Sequence, residues 1–205
     1  PKPLLKLNNI TMLENCINML IKLGVKKVFL NTFHLSKQIF EFIEKKNFSI
    51  DIKIIRDGEI ILDTGGGILN MINNSKENDF LVLNPDTLWN EEYVNEINKM
   101  QSFYFLKKIN CILLMANKAL SFDKNLKGDF SIKDNLLKKD DNKNFIYIGC
   151  QILNRNIFNK YDINTFSVTK VWNELLGKNE LYGFESSNKF YHLTNFETFK
   201  KLQDL

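Results

Sequence analysis

Asp86 is the strongest single candidate for a chemical role in this sequence. It follows an apolar run over residues 80–83, after Asn84 and Pro85. A carboxylate placed directly after a buried strand suits a hard cation such as Mg²⁺. The same Asn-Pro-Asp sequence is also favourable in a turn. The pattern alone leaves the magnesium ligand and the turn residue as equal alternatives.

Three consecutive glycines, Gly65, Gly66 and Gly67, stand between an apolar run and a segment with helical spacing. Glycine loses much conformational freedom on folding, so something is expected to pass close to this backbone. Backbone N–H groups at a helix start could face an anion or a nucleobase edge. A tight helix entry explains the glycines equally well, and they fit neither the dinucleotide-binding nor the P-loop pattern.

Lys2 and the two histidines are further candidates. Lys2 lies between Pro1 and Pro3, which stiffen the backbone, so it is either a surface lysine or a fixed phosphate-binding lysine. His34 and His192 have no partner at metal-ligand spacing, which favours polar contacts over metal ligation. No Ser-His-Asp or Cys-His arrangement is evident, which argues against nucleophilic catalysis.

The elements that must position these residues alternate between helix and strand. Apolar spacing predicts helices that begin near residues 11, 35, 64 and 91, the first ending at Gly24 and the second capped by Ser36. Apolar or alternating runs predict strands over residues 26–31, 49–57, 79–84 and 109–117. This alternation predicts an α/β sandwich with a largely parallel sheet.

The second half of the chain has a different pattern. Residues 128–153 read as strands joined by a polar hairpin over residues 138–143. A helix near Ser167, two short strands and a closing helix capped by Asn195 follow. No linker or internal repeat is evident, so we predict one domain over residues 1–205.

Ligands of open α/β sheets bind outside the carboxyl ends of the strands. Here those ends carry Asn31, the triple glycine, the segment 84–86 and, on a later strand, Gly149. We therefore expect these segments to converge on one edge of the sheet.

Composition excludes several function classes. The net charge is +4, but only two basic residues are arginines and the lysines are scattered, which argues against a nucleic-acid partner. No apolar run has the length of a membrane span, and no signal peptide is visible. The three cysteines stand singly in apolar surroundings, which predicts reduced core thiols in a cytoplasmic protein and no zinc site.

Taken in order, these segments resemble the sugar-1-phosphate nucleotidyltransferases. The similarity runs from "PKPLLKLNNITMLENCINMLIKLGVKKVFLNTFHL" through "DTGGGILNMI", "FLVLNPD", "KGDFSI" and "FIYIGCQIL" to "FYHLTNFETF". It covers essentially the whole chain, and the order of the motifs is more specific than any one of them. The most similar branch is the compact bacterial N-acetylmuramate-1-phosphate uridylyltransferases and mannose-1-phosphate guanylyltransferases.

The resemblance implies a Rossmann-like three-layer sandwich and Mg²⁺-dependent transfer of a nucleotide from a nucleoside triphosphate to a sugar-1-phosphate. Pyrophosphate and a nucleotide sugar for cell-envelope polysaccharide would be the products. Lys2 and Asp86 would be catalytic, with Asp86 holding the metal. The nucleotide would contact Asn31, Thr64 and the three glycines, and the sugar would lie near Gly149 and Asp129. The resemblance also implies a nucleotide-binding half over about residues 1–118 and a sugar-binding half over about 119–205.

The sequence departs from the family in three places. In the family, a first strand and a Gly-rich, Arg-containing phosphate loop come directly before Pro-Lys-Pro. The sequence starts at Pro1 without these segments, so we expect it to be a fragment that is inactive without them. Pro85 replaces a glycine and removes an N–H. His192 stands where the family has its second metal carboxylate, and imidazole is a poor magnesium ligand.

Two hypotheses from different classes follow. The first is a sugar-1-phosphate nucleotidyltransferase. The second, motivated by Pro85 and His192, is a nucleotide- or sugar-binding protein on the same scaffold without turnover. A glycosyltransferase is weaker, because no Asp-x-Asp stands at a buried strand end.

Overall fold

The computed structural model describes residues 1–203, which form ten strands and six α-helices. The strands are β1 Lys6–Leu7, β2 Ile10–Thr11, β3 Lys27–Thr32, β4 Asp51–Arg56, β5 Asp79–Leu83, β6 Cys111–Asn117, β7 Ser131–Lys133, β8 Leu136–Lys138, β9 Phe145–Asn154 and β10 Tyr182–Ser186. The α-helices are α1 Met12–Lys22, α2 Ser36–Lys46, α3 Asp63–Asn73, α4 Glu92–Lys107, α5 Val168–Gly177 and α6 Phe196–Gln203.

The central sheet has six strands in the order β5-β9-β6-β10-β8-β7. β6 and β10 are parallel, whereas β9 is antiparallel to both β5 and β6, and the β7–β8 hairpin pairs with β10 through an antiparallel contact. The predicted α/β class with a mixed sheet is confirmed. β5, β6, β7 and β10 run in one direction. Four of the five neighbouring pairs are nevertheless antiparallel, because β9 lies between β5 and β6 and β8 lies between β10 and β7.

Both faces of this sheet are covered, as the continuous apolar strands predict. Successive side chains of a strand point to opposite faces. In β6, Ile112 and Leu114 pack with the α4 residues Tyr93 and Met100. Cys111, Leu113 and Met115 pack on the opposite face with α3 and α5. Residues from both predicted halves of the chain thus share one sheet, and the boundary near residue 118 stays a prediction.

A second, parallel pair consists of β3 and β4. β3 and β5 both line one cavity of about 830 Å³, which α1 and α3 also line. The small apolar cluster of α1, α2, β3 and β4 is separate from the two clusters on the large sheet. The cavity therefore lies between the large sheet and the β3–β4 pair, while β1 and β2 form a third, short antiparallel sheet.

Most of the predicted helix ends are confirmed. Gly24 adopts a left-handed conformation (φ +73°) after α1, Ser167 accepts a hydrogen bond from Thr169 N at the start of α5, and Asn195 caps α6 through Thr198 N. The predicted Ser36 cap is wrong, because α2 begins at Ser36 itself and follows Leu35, which makes no side-chain cap.

The predicted hairpin over residues 138–143 is also wrong. The observed hairpin joins β7 to β8 through Asp134 and Asn135, both with positive φ, which short polar residues tolerate in tight turns. Residues 139–144 form an exposed connection from β8 to β9, and these two strands are not neighbours in the sheet.

The three cysteines are buried and free. Burial raises the pKa of Cys16 to about 12, so its thiol stays protonated and poorly reactive at neutral pH. Within residues 1–203, no helix is both long enough and apolar enough to cross a bilayer.

Candidate active site

Asp86 lies just beyond β5, in a turn that other parts of the chain hold in place. The Trp89 indole N–H donates to the Asn84 carbonyl oxygen at 3.1 Å, which closes the turn. Leu193 N donates to the Asp86 carbonyl oxygen at 2.8 Å, and Thr87 forms a β-bridge with His192. The turn is therefore fixed by a segment more than 100 residues further along the chain.

Lys2 meets Asp86 at this turn. Lys2 Nζ lies 2.9 Å from Asp86 Oδ2, and both side chains are partly exposed. The lysine belongs to a single 3₁₀ turn over Lys2–Leu4 that begins at Pro1. The other carboxylate oxygen, Asp86 Oδ1, is buried and has no hydrogen-bond partner among residues 1–203. A buried carboxylate oxygen without a partner is costly, and a cation or a donor group from a ligand would satisfy it.

His192 completes this group, which we call the Asp86 cluster: Lys2, Asp86, Thr87 and His192. His192 Nε2 is 3.8 Å from Asp86 Oδ2. Thr87 Oγ1 donates to the Ile148 carbonyl oxygen at 2.8 Å and lies 3.4 Å from His192 Nδ1. Because the Thr87 proton is already used, its oxygen accepts from Nδ1–H, which assigns the proton to Nδ1 and leaves a lone pair on Nε2.

Burial lowers the pKa of His192, against the opposing effect of the Asp86 charge. The imidazole is therefore neutral at neutral pH, and its Nε2 lone pair lies on the same side as the Asp86 carboxylate. A neutral imidazole can accept a hydrogen bond or act as a ligand, but it does not supply the negative charge of a second carboxylate.

Thr87 was not singled out from the sequence, yet it is fully buried and connects β5, β9 and His192. We expect Thr87→Val to lower the free energy of unfolding by about 1–3 kcal/mol, because the Ile148 carbonyl oxygen would lose its donor in the interior. Chemical denaturation monitored by tryptophan fluorescence measures the change.

Thr194→Val is the matched control for this substitution. Thr194 makes an exposed hydrogen bond to Asp123, so its loss should change the unfolding free energy by less than about 0.5 kcal/mol. Equal destabilisation by the two variants would contradict a positioning role for Thr87.

Gly149 lies in a β-bulge of β9. The register shifts between Leu113 and Met115 of β6, which face Gln151 and Tyr147 respectively. Gly149 has φ +87°, and a Cβ there would lie 2.9 Å from the Asn84 side chain. Asn84 N donates to the Gly149 carbonyl oxygen at 2.7 Å. The close contact with Asn84 and the positive φ explain why position 149 requires a glycine. Its predicted contact with the sugar stays a prediction.

The three glycines form the first turns of α3 and are buried. A Cβ on Gly65 would overlap the Phe166 ring, one on Gly66 would overlap the Asn164 carbonyl oxygen, and one on Gly67 would lie 2.8 Å from Asn31 Nδ2. The close neighbour expected from the sequence is thus the segment 164–166 of the chain itself, together with Asn31.

For Gly65 and Gly66 the structure favours the second of the two alternatives, a tight helix entry. Gly65 N and Gly66 N both donate to the Phe166 carbonyl oxygen, at 2.9 and 3.1 Å. Their donors are therefore used in joining the start of α3 to the segment before α5. The contact of the three glycines with a nucleoside stays a prediction.

Asn31 lies near the carboxyl end of β3, beside the carboxylate of Asp57. Asn31 Nδ2 donates to Asp57 Oδ2 at 3.0 Å, and Asn70 of α3 makes a longer bond to the same carboxylate. Asp57 directly follows β4, so the strand-end rule that selected Asn31 and Asp86 also applies to it.

Thr64 and Asp129 make contacts within the chain. Thr64 Oγ1 accepts from Val168 N at 3.0 Å and so joins α3 to the start of α5. Asp129 Oδ2 accepts from Tyr147 N at 2.9 Å, and burial raises the pKa of Asp129. Their predicted roles at the nucleotide and the sugar stay predictions.

The structure thus brings Lys2, Asp86 and His192 together and places Gly149 beside them through Asn84 and Thr87. Asn31 and Gly67 form a second group with Asp57. Thr64, Gly65 and Gly66 contact the segment 164–168.

The fold is that of the nucleotide-diphospho-sugar transferases, a three-layer α/β sandwich with a mixed central sheet. HddC from Yersinia pseudotuberculosis has a TM-score of 0.78 and 20% identity to this chain, with 100% of this chain and 89% of that chain covered. A UDP-glucose pyrophosphorylase complexed with UDP-glucose has a TM-score of 0.79 at 15% identity, with 100% and 89% covered. The inositol-1-phosphate CTP transferase from T. maritima has a TM-score of 0.77 at 11% identity, with 100% and 86% covered.

No protein-family model and no curated protein sequence matches the chain. The similarity to these solved structures therefore confirms the predicted fold. At sequence identities of 11–20%, it shows the fold alone.

Proposed function

We propose that this chain is a sugar-1-phosphate nucleotidyltransferase. A phosphate oxygen of the sugar-1-phosphate forms a bond to the α-phosphorus of a nucleoside triphosphate, the bond from that phosphorus to the bridging oxygen breaks, and pyrophosphate leaves. The observation that carries the proposal is the contact of Lys2 with Asp86 beside the unpartnered Asp86 Oδ1. Under this proposal Lys2 binds phosphate and Asp86 holds the metal, and the two side chains lie at one strand end.

The structures of similar fold support this proposal. One HddC structure is a complex with GMP-PN, and one UDP-glucose pyrophosphorylase structure is a complex with UDP-glucose. A nucleotide and a sugar nucleotide therefore bind to proteins of this fold. For the present chain we propose a nucleoside triphosphate and a sugar-1-phosphate as substrates.

The residues present fit a Mg²⁺ ion whose remaining coordination positions are filled by substrate phosphates. Asp86 offers a buried, unpartnered oxygen, and His192 offers a neutral nitrogen. Within residues 1–203, no group of three His, Cys, Asp or Glu side chains is placed to hold a metal. Mg²⁺ commonly binds one or two carboxylates and takes its remaining ligands from phosphates and water. When bound, the ion would neutralise charge on the phosphates that react.

The chain's own residues would bind and orient the substrates. Lys2 is free to move from Asp86 to a phosphate, because its ion pair is partly exposed and held by one contact. The Thr87 hydrogen bond fixes the orientation of His192. Asn31 and Asp57 present an amide and a carboxylate at the next strand ends, where they can hydrogen-bond a nucleoside. Catalysis by positioning and charge neutralisation needs no covalent nucleophile.

The direct test measures pyrophosphate release by the natural polypeptide, including any residues encoded ahead of Pro1. We expect Mg²⁺-dependent release with at least one pair from a panel of common nucleoside triphosphates and sugar-1-phosphates. No release across the whole panel, from protein whose folding is verified by circular dichroism, would refute the proposal.

A non-catalytic nucleotide-binding protein is the second candidate. The observation that favours it is the single carboxylate of the Asp86 cluster, which Lys2 already neutralises. Titration calorimetry with each nucleoside triphosphate separates the two. Binding that Mg²⁺ leaves unchanged, with no product formed, supports the binding protein, whereas binding that Mg²⁺ strengthens supports the enzyme.

The Lys2–Asp86 contact predicts competition between Lys2 and Mg²⁺. We expect Lys2→Met to tighten Mg²⁺ binding without nucleotide by about two- to fivefold, the range that corresponds to one partly exposed ion pair. The same variant should bind nucleoside triphosphate more weakly, because a phosphate contact is lost. Calorimetric titration with MgCl₂ and then with nucleotide measures both changes.

Lys22→Met is the control, since Lys22 pairs with Glu91 on an exposed surface. It should change neither affinity. Unchanged Mg²⁺ binding by Lys2→Met would show that Asp86 does not hold the ion.

A further inference from the structure

His192 is held in the manner of a metal-ligating histidine. Such a histidine donates one ring N–H to a fixed acceptor, which orients the ring and leaves the lone pair of the other nitrogen for a metal. Here Thr87 Oγ1 lies 3.4 Å from His192 Nδ1, and the Thr87 proton is already donated to the Ile148 carbonyl oxygen. The Thr87 oxygen therefore accepts from Nδ1–H, and the Nε2 lone pair lies on the side of Asp86.

Packing and backbone pairing hold the imidazole in this position. The Phe190 ring stacks on the His192 ring, with a distance of 5.7 Å between the ring centroids and an interplanar angle of 25°. A β-bridge joins His192 to Thr87, and Leu193 N donates to the Asp86 carbonyl oxygen at 2.8 Å. The fold therefore sets the position of the imidazole relative to the Asp86 carboxylate before any cation binds.

The separation of His192 Nε2 and Asp86 Oδ2 suits two ligands of one cation. The two atoms are 3.8 Å apart, which is too long for a hydrogen bond. Two ligand atoms bonded at about 2.1 Å to the same ion are about 3.0 Å apart at right angles and about 4.2 Å apart on opposite sides. One ion can therefore reach both atoms with little movement of either side chain. Both side chains are partly exposed, so the ion can enter from solvent.

A nitrogen and a carboxylate oxygen form a mixed pair of donors, and such a pair prefers different cations from a pair of carboxylates. Mg²⁺ takes oxygen ligands. Imidazole nitrogen suits first-row transition metals, whose affinity for a given site rises from Mn²⁺ to Cu²⁺. The nitrogen of His192 therefore adds affinity only for a cation that accepts nitrogen.

We propose that the Asp86 cluster selects a first-row transition-metal dication over Mg²⁺, with His192 Nε2 and Asp86 Oδ2 as its two protein ligands. The inference deepens the metal site of the proposed function, and it rests on that proposal for the phosphates that supply further ligands and draw Lys2 away from Asp86. Mg²⁺ would occupy the same position through Asp86 and phosphates, with lower affinity. His192 is thus the residue that determines which cation the site prefers.

Electron paramagnetic resonance with Mn²⁺ tests this assignment without any substrate. Mn²⁺ is added alone to the natural polypeptide, and electron-spin-echo modulation reports whether a nitrogen nucleus is bonded to the ion. We expect a bonded-nitrogen signal that changes when the protein carries ¹⁵N-labelled histidine, a comparison that needs no substitution. The matched control is His34→Gln, which removes the other, exposed histidine of the sequence and should keep the signal.

His192→Asp tests the selectivity, because it replaces the nitrogen donor by a carboxylate. The ratio of the Kd for Mg²⁺ to the Kd for Mn²⁺, measured by titration calorimetry, should fall by about tenfold or more. The bonded-nitrogen signal should be lost in the same variant. Circular dichroism verifies its folding, and the isotope comparison on the parent protein decides the question if the variant does not fold.

Three results would overturn the proposal. They are Mn²⁺ that binds without a histidine nitrogen, no binding of Mn²⁺ either alone or with inorganic tripolyphosphate, and a selectivity ratio that His192→Asp leaves unchanged. These results are distinct from a failure of the proposed activity. A histidine nitrogen on Mn²⁺ in a protein that releases no pyrophosphate would support the metal site and refute the transferase. Pyrophosphate release without that nitrogen would do the reverse.

Discussion

Asp86→Asn should lower kcat for pyrophosphate release by about 10³-fold, if the proposed reaction is correct. The substitution keeps the size of the side chain and removes its charge, so the turn after β5 is retained. A neutral amide does not hold Mg²⁺ against a competing triphosphate, and Lys2 loses its partner. The loss should be accompanied by loss of the Mg²⁺ dependence of nucleotide binding in calorimetry, a readout that does not require turnover.

The control for this loss is Asp51→Asn. Asp51 also pairs with a lysine, Lys27, but the pair is exposed and lies at the amino ends of β3 and β4. We expect its kcat to stay within about twofold of the parent, because exposed ion pairs contribute little. If Asp86→Asn retains full activity, Asp86 is a turn residue and the proposed metal site is wrong.

Much of the fold could be predicted because apolar patterning reports directly on burial. The uninterrupted apolar run of β6 predicts a strand covered on both faces, and the structure buries residues 111–116 fully. Local capping chemistry also predicted the ends at Gly24, Ser167 and Asn195. Ser36 failed as a cap because a left-handed Leu35 starts α2, and no local signal marks a leucine for that conformation.

The order of strands could not be read from local patterns. β9 inserts between β5 and β6 and reverses the pairing of both, and only long-range packing determines this. The hairpin was misplaced for a related reason: a charged run at residues 138–143 is typical of an exposed connection, but it does not specify which strands pair. Asp134 and Asn135, which occupy the actual turn, were the better local signal.

The candidate site was predicted in part. The strand-end rule selected Asp86 and Asn31 and applies equally to Asp57, which was overlooked. Thr87 carried no signal, because its importance arises from the hydrogen bond that it donates to the Ile148 carbonyl oxygen, beside a register shift in the pairing of β9 with β6. A side chain whose partner is 61 residues away is visible only in three dimensions.

Gly66→Ala should lower the free energy of unfolding by about 3 kcal/mol or more, in the absence of any nucleotide. The added Cβ would overlap the Asn164 carbonyl oxygen, which is backbone and cannot rotate away as a side chain can. The start of α3 would have to move from the segment 164–166, with strain on the hydrogen bonds from Gly65 N and Gly66 N to Phe166. Chemical denaturation measures the change.

Gly177→Ala is the matched control, because it also replaces a helical glycine by alanine. Gly177 ends α5, has no positive φ, and a Cβ there would meet no atom within 4 Å. It should be neutral or stabilising by up to about 1 kcal/mol, through a smaller loss of backbone entropy on folding. The pair separates two explanations of the triple glycine. If Gly66→Ala leaves stability unchanged and weakens nucleotide binding alone, a ligand excludes the side chain there. A loss of stability without ligand shows instead that the contact between α3 and the segment 164–166 requires the glycine.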